Sequence, residues 1–410
     1  MQKPLRIAHI VRRYSRAEWG GTETVVQHTV EEQRALGHIP QIFCTNALQP
    51  PDAPAASDNF KAFPYFYPYF PMPQSDRLKL DKKGGSPYSP ALFKAVVDFK
   101  PDIIHIHAGG RLACRAAQLA KRLGVPSLIS LHGGAAVVPK SEIDEMLKPL
   151  RHKFPYGGIL DRLFKLSFDP LTRVNAIICI SRAEETRLKE LYPNANVQYL
   201  PNGVAFPMEG RAMFCASRWL DDKLPHAVNI LCVSRIDYQK NQLALVELLA
   251  KRPECRLTLV GPITAQWYAD KITSRVNELG VAHRFTLIPG LPPGSPELEA
   301  RFVNADVFIL PSVHEPFGIV ALEAMARDIP LLASNVGGLP DFVHDGVNGL
   351  LFNPSKPDTL SDAFARLAAM PPATLKQMIS AAHDTALSYT WPRVIFRLMD
   401  TYSRLLQNKR

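Results

Sequence analysis

The stretch DVFILPSVHEPFGIVALEAMA occupies residues 306–326, and its reading sets the fold. DVFIL (306–310) is short and almost wholly apolar, the pattern of a strand covered on both faces. PSVHEPFG (311–318) holds two prolines and a glycine and reads as a loop. IVALEAMA (319–326) reads as a helix. Strand, loop and helix in succession form the repeating unit of a doubly wound α/β sheet, and such sheets bind ligands at the carboxyl ends of their strands. Glu315 lies at such an end. Gly318 lets backbone approach a ligand closely, and free N–H groups at a helix start favour phosphate. Glu323 is expected about two turns further on, at ~1.5 Å rise per residue, within reach of hydroxyls on the same ligand. The spacing suits a ligand with phosphate between two hydroxyl-bearing groups, as in a nucleotide-diphosphate sugar. It equally suits a helix with one acid favouring the dipole and a second facing solvent. The stretch alone leaves both open.

The same alternation runs along the chain. The first half carries strand-like runs at 5–11, 39–44, 102–107, 127–131, 175–180 and 197–200. The second half carries them at 228–233, 256–260, 285–288, 306–310 and 330–334. Helical patterns such as 23–36 and 241–251 lie between. Two series of five or six parallel strands predict two doubly wound domains, with a linker in 202–226 where regular pattern fades. Two segments depart from alternation. FKAFPYFYPYFPMP (60–73) is too rich in proline to be a regular helix and is followed by Arg77, Lys79, Lys82 and Lys83. Residues 148–173 are basic and aromatic, with helical spacing after Gly158. Each reads either as a membrane-surface or acceptor-facing element or as a long loop folded over a cleft. Residues 390–406 place Trp391, Val394, Ile395, Leu398, Tyr402 and Leu405 on one helical face, which needs a surface to cover.

Composition narrows the class. The chain has 410 residues, 46% hydrophobic and 21% charged, as in a water-soluble globular protein of two or three domains. No run reaches the roughly 18 apolar residues of a membrane helix, and the N-terminus reads as a strand rather than a signal peptide. Six cysteines are scattered without a C-x-x-C pair, which predicts buried free thiols and a cytoplasmic setting. The net charge of +10 is uneven. Residues 1–205 hold 27 Lys+Arg against 18 Asp+Glu, and residues 206–410 hold 21 against 20. A basic first half suits an anionic partner such as a membrane surface, phosphorylated lipid or nucleic acid, or is simply a solvated basic face. No helix-turn-helix, finger or RNA-binding signature is present, so nucleic acid is not expected.

Other loops supply candidate ligands. VSRIDYQKNQ (233–242) sets Arg235 and Lys240 five apart between a strand and a helix, where two cations suit a diphosphate. RAEWGGTETVVQH (16–28) puts Gly20 and Gly21 at a helix start, without the G-x-G-x-x-G of a dinucleotide site. SLHGGA (130–135) puts His132 directly after a strand and before two glycines, a stronger site candidate than an isolated histidine.

Taken together, GGTETVVQ with Gly37-His38, His132, PNGV (201–204), Arg235-x4-Lys240, HEPFGIVALEA, and NVGGLPDFV followed by DGVNGLLF resemble the retaining glycosyltransferases of family 4. These features span nearly the whole chain in the family's order. The resemblance implies a GT-B fold: two Rossmann-like domains facing a cleft, with a C-terminal helix crossing back to the first. It implies an acceptor-binding domain at 1–205, a linker at 206–226, a nucleotide-sugar-binding domain at 227–388 and the returning helix at 389–410. It implies catalytic roles for His132, Glu315, Arg235 and Lys240. Glu315 would contact donor-sugar hydroxyls, Glu323 the ribose, and Arg235 and Lys240 the diphosphate. Gly20, Gly21, Asn202, Gly290, Phe317, Gly318, Ile319 and Val320 would complete the donor site. Charge growing on the leaving diphosphate would be met by fixed cations and N–H groups. No cofactor and no metal are expected, as there is no D-x-D motif.

Two departures from the family pattern are Gly133, where an acid often follows the histidine, and a glycine turn shortened to Gly261-Pro262. The resulting expectation is a hexosyl transfer from a nucleotide sugar, a UDP-sugar before GDP-mannose, to a hydroxyl acceptor. The acceptor is lipid-linked or belongs to polysaccharide or glycoconjugate biosynthesis, with the enzyme peripheral at the inner membrane face. The alternatives are a GT-B nucleotide-sugar epimerase and a catalytically silent sugar-nucleotide-binding scaffold.

Overall fold

The computed structural model describes residues 3–15, 20–49, 59–133, 150, 153–207 and 227–408. The chain divides into two compact units, Met1–Pro201 with Val394–Arg410, and Asn202–Arg393. Each contains one parallel sheet.

In the first unit the strands are β1 (Arg6–Arg13), β2 (Ile39–Thr45), β3 (Phe60–Phe63), β5 (Ile103–His107), β6 (Ser127–Ser130), β8 (Ala176–Cys179) and β9 (Val197–Tyr199). They lie in the order β3-β2-β1-β5-β6-β8-β9, all parallel. β4 (Tyr69–Phe70) pairs antiparallel with β7 (Phe154–Pro155) outside this sheet. The second unit has β10 (Val228–Val233), β11 (Cys255–Val260), β12 (Phe285–Ile288), β13 (Val307–Leu310), β14 (Leu331–Ser334) and β15 (Leu350–Phe352). Their order is β12-β11-β10-β13-β14-β15, again parallel. Both sheets reverse direction of winding at their first strand. The switch points are therefore β1/β5 and β10/β13, where open α/β sheets form ligand crevices.

Ile103, Ile104, Ile106, Val307, Phe308, Ile309 and Leu310 are fully buried, as expected of central parallel strands covered on both faces. Two strands were not legible in the sequence. β3 is four residues cut off by Pro64, and β15 is three residues inside GLLFNP, both too short to show a period. The aromatic segment 60–73 thus begins as the edge strand of the first sheet. It then meets the 153–163 segment through the β4/β7 pair and through Lys153, which pairs with Asp76 at 2.7 Å. Helix Gly157–Leu163 follows, and its Asp161 is held by Arg111 and Tyr88. Residues 208–226, Cys215 among them, and 148–149 lie outside the described residues. The other five cysteines are free and buried.

Helix Trp391–Gln407 buries the six apolar residues its spacing marks out. From Val394 it belongs to the first unit. There the Tyr402 hydroxyl meets His105 Nδ1 at 2.6 Å and accepts from Gln33 Nε2 at 3.2 Å. Among the described residues no helix is long and apolar enough to cross a membrane. Leu398 is 2% exposed, so Leu398→Ala is expected to destabilise the protein by about 2–5 kcal/mol. Denaturant titration checks this, and a loss under about 1 kcal/mol would mean the helix is loosely held.

Candidate functional site

The second unit's switch point is built from the loops after β10 and β13. The loop after β10 forms a tight turn, Tyr238–Lys240, capped by Asp237, whose carboxylate accepts from Gln239 N at 3.1 Å. Gln242 is fully buried, and its amide donates to Ser234 Oγ and to the Arg235 carbonyl, fixing the backbone that carries Arg235. Gly261, at the end of β11, completes this floor. A Cβ there would lie 1.8 Å from the Ser234 carbonyl oxygen. Gly290, after β12, sits beside Pro262 with φ +105. The turn is tied to the loop after β13 by the Gln239 carbonyl, which accepts from Val313 N at 2.8 Å.

Across this tie, Lys240 Nζ donates to Glu315 Oε2 at 2.8 Å, and Ser312 Oγ donates to the same oxygen at 3.1 Å. Lys240 and Glu315 are each 8% exposed. Two residues that the sequence assigns to different parts of a ligand are thus directly paired. Arg235 is exposed, with no side-chain hydrogen bond or ion pair to a described residue. One cation is therefore fixed inside the site and the other extends from its floor.

The loop holding Glu315 is braced from beneath by NVGGLP. Gly338 N donates to the Glu315 carbonyl at 3.1 Å. Gly337 has φ +58, and a Cβ on it would fall 1.8 Å from that same carbonyl oxygen. Gly318 has φ +93, and a Cβ on it would sit 2.6 Å from Leu339. Gly318 is therefore demanded by the turn and by packing as well as by any ligand. Phe317 is buried against Phe342 and points inward. The helix begins at Ile319 and ends at Met325. Glu323 is its fifth residue, so the step from Glu315 is a loop plus about one helical turn rather than two turns, because half of the spacing is spent in the loop. The N–H groups of Ile319 and Val320 have no partner within this first turn. Glu323 is half-buried. Burial raises its carboxyl pKa, Arg327 opposes the rise, and Glu299 adds to it. Asn202 is buried at the start of this unit, beside Gly203, which packs on the Trp391 indole.

The first unit carries Gly20, Gly21 and His132. Gly20 is the extended residue before helix Gly21–Ala35, and a Cβ on Gly21 would meet nothing within 4 Å. Glu23 in the first turn is buried and bound by Arg13 at 3.3 Å, which offsets a negative charge beside the helix start. His132 Nε2 meets His107 Nδ1 at 3.1 Å, while its own Nδ1 is buried without a partner among the described residues. Burial lowers the His132 pKa to about 4. His9 is likewise lowered to about 4 by burial, with Gln33 opposing, and His105 and His107 are driven well below 6.5 by burial and by neighbouring imidazoles.

The reading from sequence passed over this histidine group, although two histidines at i and i+2 in DIIHIH put both side chains on one face of a strand. His9, His105 and His107 are the one group of potential metal ligands among the described residues. Their six ring nitrogens already bond Gln33, Ser130, Tyr402, His132 or each other.

The group 1 glycosyl transferases match residues 225–385, and glycosyltransferase family 4 matches residues 19–205. A D-inositol 3-phosphate glycosyltransferase of Mycobacterium avium is 30% identical over 312 residues, covering 75% of this chain and 70% of that protein. A sulfoquinovosyl transferase of Arabidopsis thaliana is 26% identical over 401 residues, covering 95% and 72%. Among solved structures, sucrose-phosphate synthase from Thermosynechococcus elongatus aligns with TM-score 0.71 and 21% identity over 98% of this chain and all of that one. HepE of Anabaena, in complex with UDP and glucose, aligns with TM-score 0.67 and 17% identity over 98% and 100%. The fold is GT-B, with two Rossmann-like units. The chain belongs to glycosyltransferase family 4 and is a glycosyltransferase.

Two outcomes follow from the geometry. Lys240→Met strands a buried carboxylate and is expected to cost about 3–5 kcal/mol, most of it recovered in the Lys240→Met/Glu315→Leu double variant. Equal losses in single and double variants would show that the two groups do not act as a pair. His132 binds its proton more weakly folded than unfolded, so its contribution is complete above pH 6.5 and is lost as pH falls towards about 4. His132→Gln is expected to reduce the slope of stability against pH in that window by up to about 1.4 kcal/mol per pH unit. An unchanged slope would contradict a neutral, buried imidazole.

Proposed function

We propose that this protein is a retaining hexosyltransferase that moves a sugar from a nucleotide-diphosphate sugar to a hydroxyl acceptor, a UDP-sugar being the first donor to test and GDP-mannose the second. The observation that carries the reading is the buried Lys240–Glu315 pair at the β10/β13 switch point, with exposed Arg235 in the same loop as Lys240 and unpaired among the described residues. Arg235, Lys240 and the Ile319 and Val320 N–H groups meet the negative charge that grows on the leaving diphosphate. That charge is otherwise met by a divalent ion, so the reaction proceeds without metal or cofactor. Glu315, oriented by Lys240 and Ser312, accepts hydrogen bonds from donor-sugar hydroxyls, and Glu323 from the ribose. Phe317 and Asn202, both buried, shape the site rather than bond the donor, and Gly290 flanks the base. UDP and glucose in the HepE structure support a uridine donor.

The first unit takes the acceptor, with His132 and the Gly20–Gly21 turn at its ligand end. An acceptor at a lipid surface is supported by one face of this unit. Phe70 and Phe154, opposite one another in the β4/β7 pair, are 71% and 65% exposed, and Ile159 and Leu163 are 63% and 70% exposed. Arg162 and Lys165 are exposed on the same segment. Exposed apolar side chains with exposed cations on the same segment suit shallow insertion into an anionic membrane face.

The test of the donor site is a thermal-shift series with UDP, GDP, ADP and their sugars. Ligand at 100 times its Kd stabilises the fold by about 2.7 kcal/mol. One nucleotide family is expected to raise Tm, and Arg235→Ala to abolish the rise. Silence towards every nucleotide at millimolar concentration would leave a scaffold. Conversion of the nucleotide sugar to its epimer, with no sugar passed to an acceptor or to water, would establish the epimerase. For the membrane, co-sedimentation with phosphatidylserine vesicles is expected for the wild type and lost in Phe154→Glu/Leu163→Glu. Equal sedimentation of both would reject this face.

A further inference from the structure

Behind His132 lies a continuous chain of buried polar groups. Gln33 Oε1 meets His9 Nε2 at 2.8 Å, His9 Nδ1 meets His107 Nε2 at 3.0 Å, and His107 Nδ1 meets His132 Nε2 at 3.1 Å. The chain ends on His132 Nδ1, buried with no partner among the described residues. Gln33, His9 and His107 are 0%, 0% and 6% exposed. A neutral imidazole carries one N–H donor and one bare acceptor nitrogen. Once the direction of one bond in such a chain is set, every other follows.

The far end sets it. The Gln33 amide nitrogen donates to the Tyr402 hydroxyl, which leaves its oxygen facing His9. His9 Nε2 must then carry the proton, and its bare Nδ1 accepts from His107 Nε2–H. His107 Nδ1 is bare in turn and accepts from His132 Nε2–H. His132 is left with an unprotonated Nδ1. Turning the Gln33 amide over would reverse every bond and end the chain on a buried N–H with no acceptor among the described residues. Burial keeps the three imidazoles of the chain neutral, which such a chain requires.

We infer that Gln33, His9 and His107 are positioning residues that fix His132 as the Nε2–H tautomer and present its Nδ1 lone pair as an acceptor for a substrate hydroxyl. This rests on His132 belonging to the transferase site. A buried acceptor without a partner is unfavourable, and a hydroxyl that donates to it removes that penalty. A hydroxyl placed there gains this and an ionised phosphate oxygen, which has no proton to give, does not, so the site favours sugar and alcohol groups over phosphate oxygens.

The test reads tautomers directly and needs no substrate. In protein labelled with 15N-histidine, long-range 1H–15N spectra at neutral pH separate protonated from bare ring nitrogens, with His132 assigned by its loss in His132→Gln. The expected result is a bare Nδ1 and a protonated Nε2 on His132, with a measurable N–N coupling across the hydrogen bond to His107. In Gln33→Met the His132 Nδ1 resonance is expected to shift towards the protonated position as both tautomers become populated, while His344 in the other unit is unmoved. A protonated Nδ1 in the wild type, or no coupling to His107, overturns the inference without any variant. An unchanged His132 spectrum in folded Gln33→Met overturns the role of Gln33. Because these spectra are recorded without nucleotide, they are independent of the donor experiment. Failure there with the expected tautomer here would displace the transferase reading and leave the relay standing.

Discussion

A buried lysine facing a buried glutamate is costly to assemble, and the second unit is organised around making it possible. Taking both charges out of water costs several kcal/mol, which is offset only with close geometry and further hydrogen bonds. The geometry comes from strand order. β10 and β13 are neighbours in the sheet but distant in sequence, so the loops leaving their carboxyl ends meet. The Gln239–Val313 backbone bond joins those loops, Ser312 adds a donor, and Gly337 and Gly338 support the Glu315 backbone at a distance no side chain permits. Fixed charges held in a low-dielectric site need little reorganisation when charge develops on a ligand, which is the condition for electrostatic stabilisation of a leaving diphosphate.

The first unit shows the same economy with neutral groups. Its ligand end has no buried ion pair other than Arg13–Glu23 among the described residues, and instead carries a file of imidazoles closed off by Tyr402 of the last helix. The helix that covers the unit's surface also anchors the polar chain behind His132, so packing and the state of a site residue are joined in one side chain.

Much of this was legible in the sequence because parallel strands covered on both faces are nearly continuous apolar runs. Eleven of the thirteen strands in the two large sheets announce themselves this way. β3 and β15 do not, since three or four residues carry no period. The residues of the charged site were also legible, as Arg235, Lys240, Glu315 and Glu323 stand in loops and at a helix start where function concentrates. Their pairing was not, because contact between Lys240 and Glu315 depends on strand order. The supports were hidden for the same reason: nothing local in NVGGLP says that its glycines lie under Glu315. The histidines of β1 and β5 were hidden by their setting, read as parts of apolar strands when they are the polar interior of one.

The central claim is that the loops after β10 and β13 together hold a nucleotide sugar. Hydrogen–deuterium exchange with and without saturating UDP-glucose tests it most directly. The expected result is slowed exchange in both 234–240 and 313–323, with β11 and β14 unchanged. Slowed exchange confined to other segments, or none in either loop while the nucleotide is bound, would contradict it.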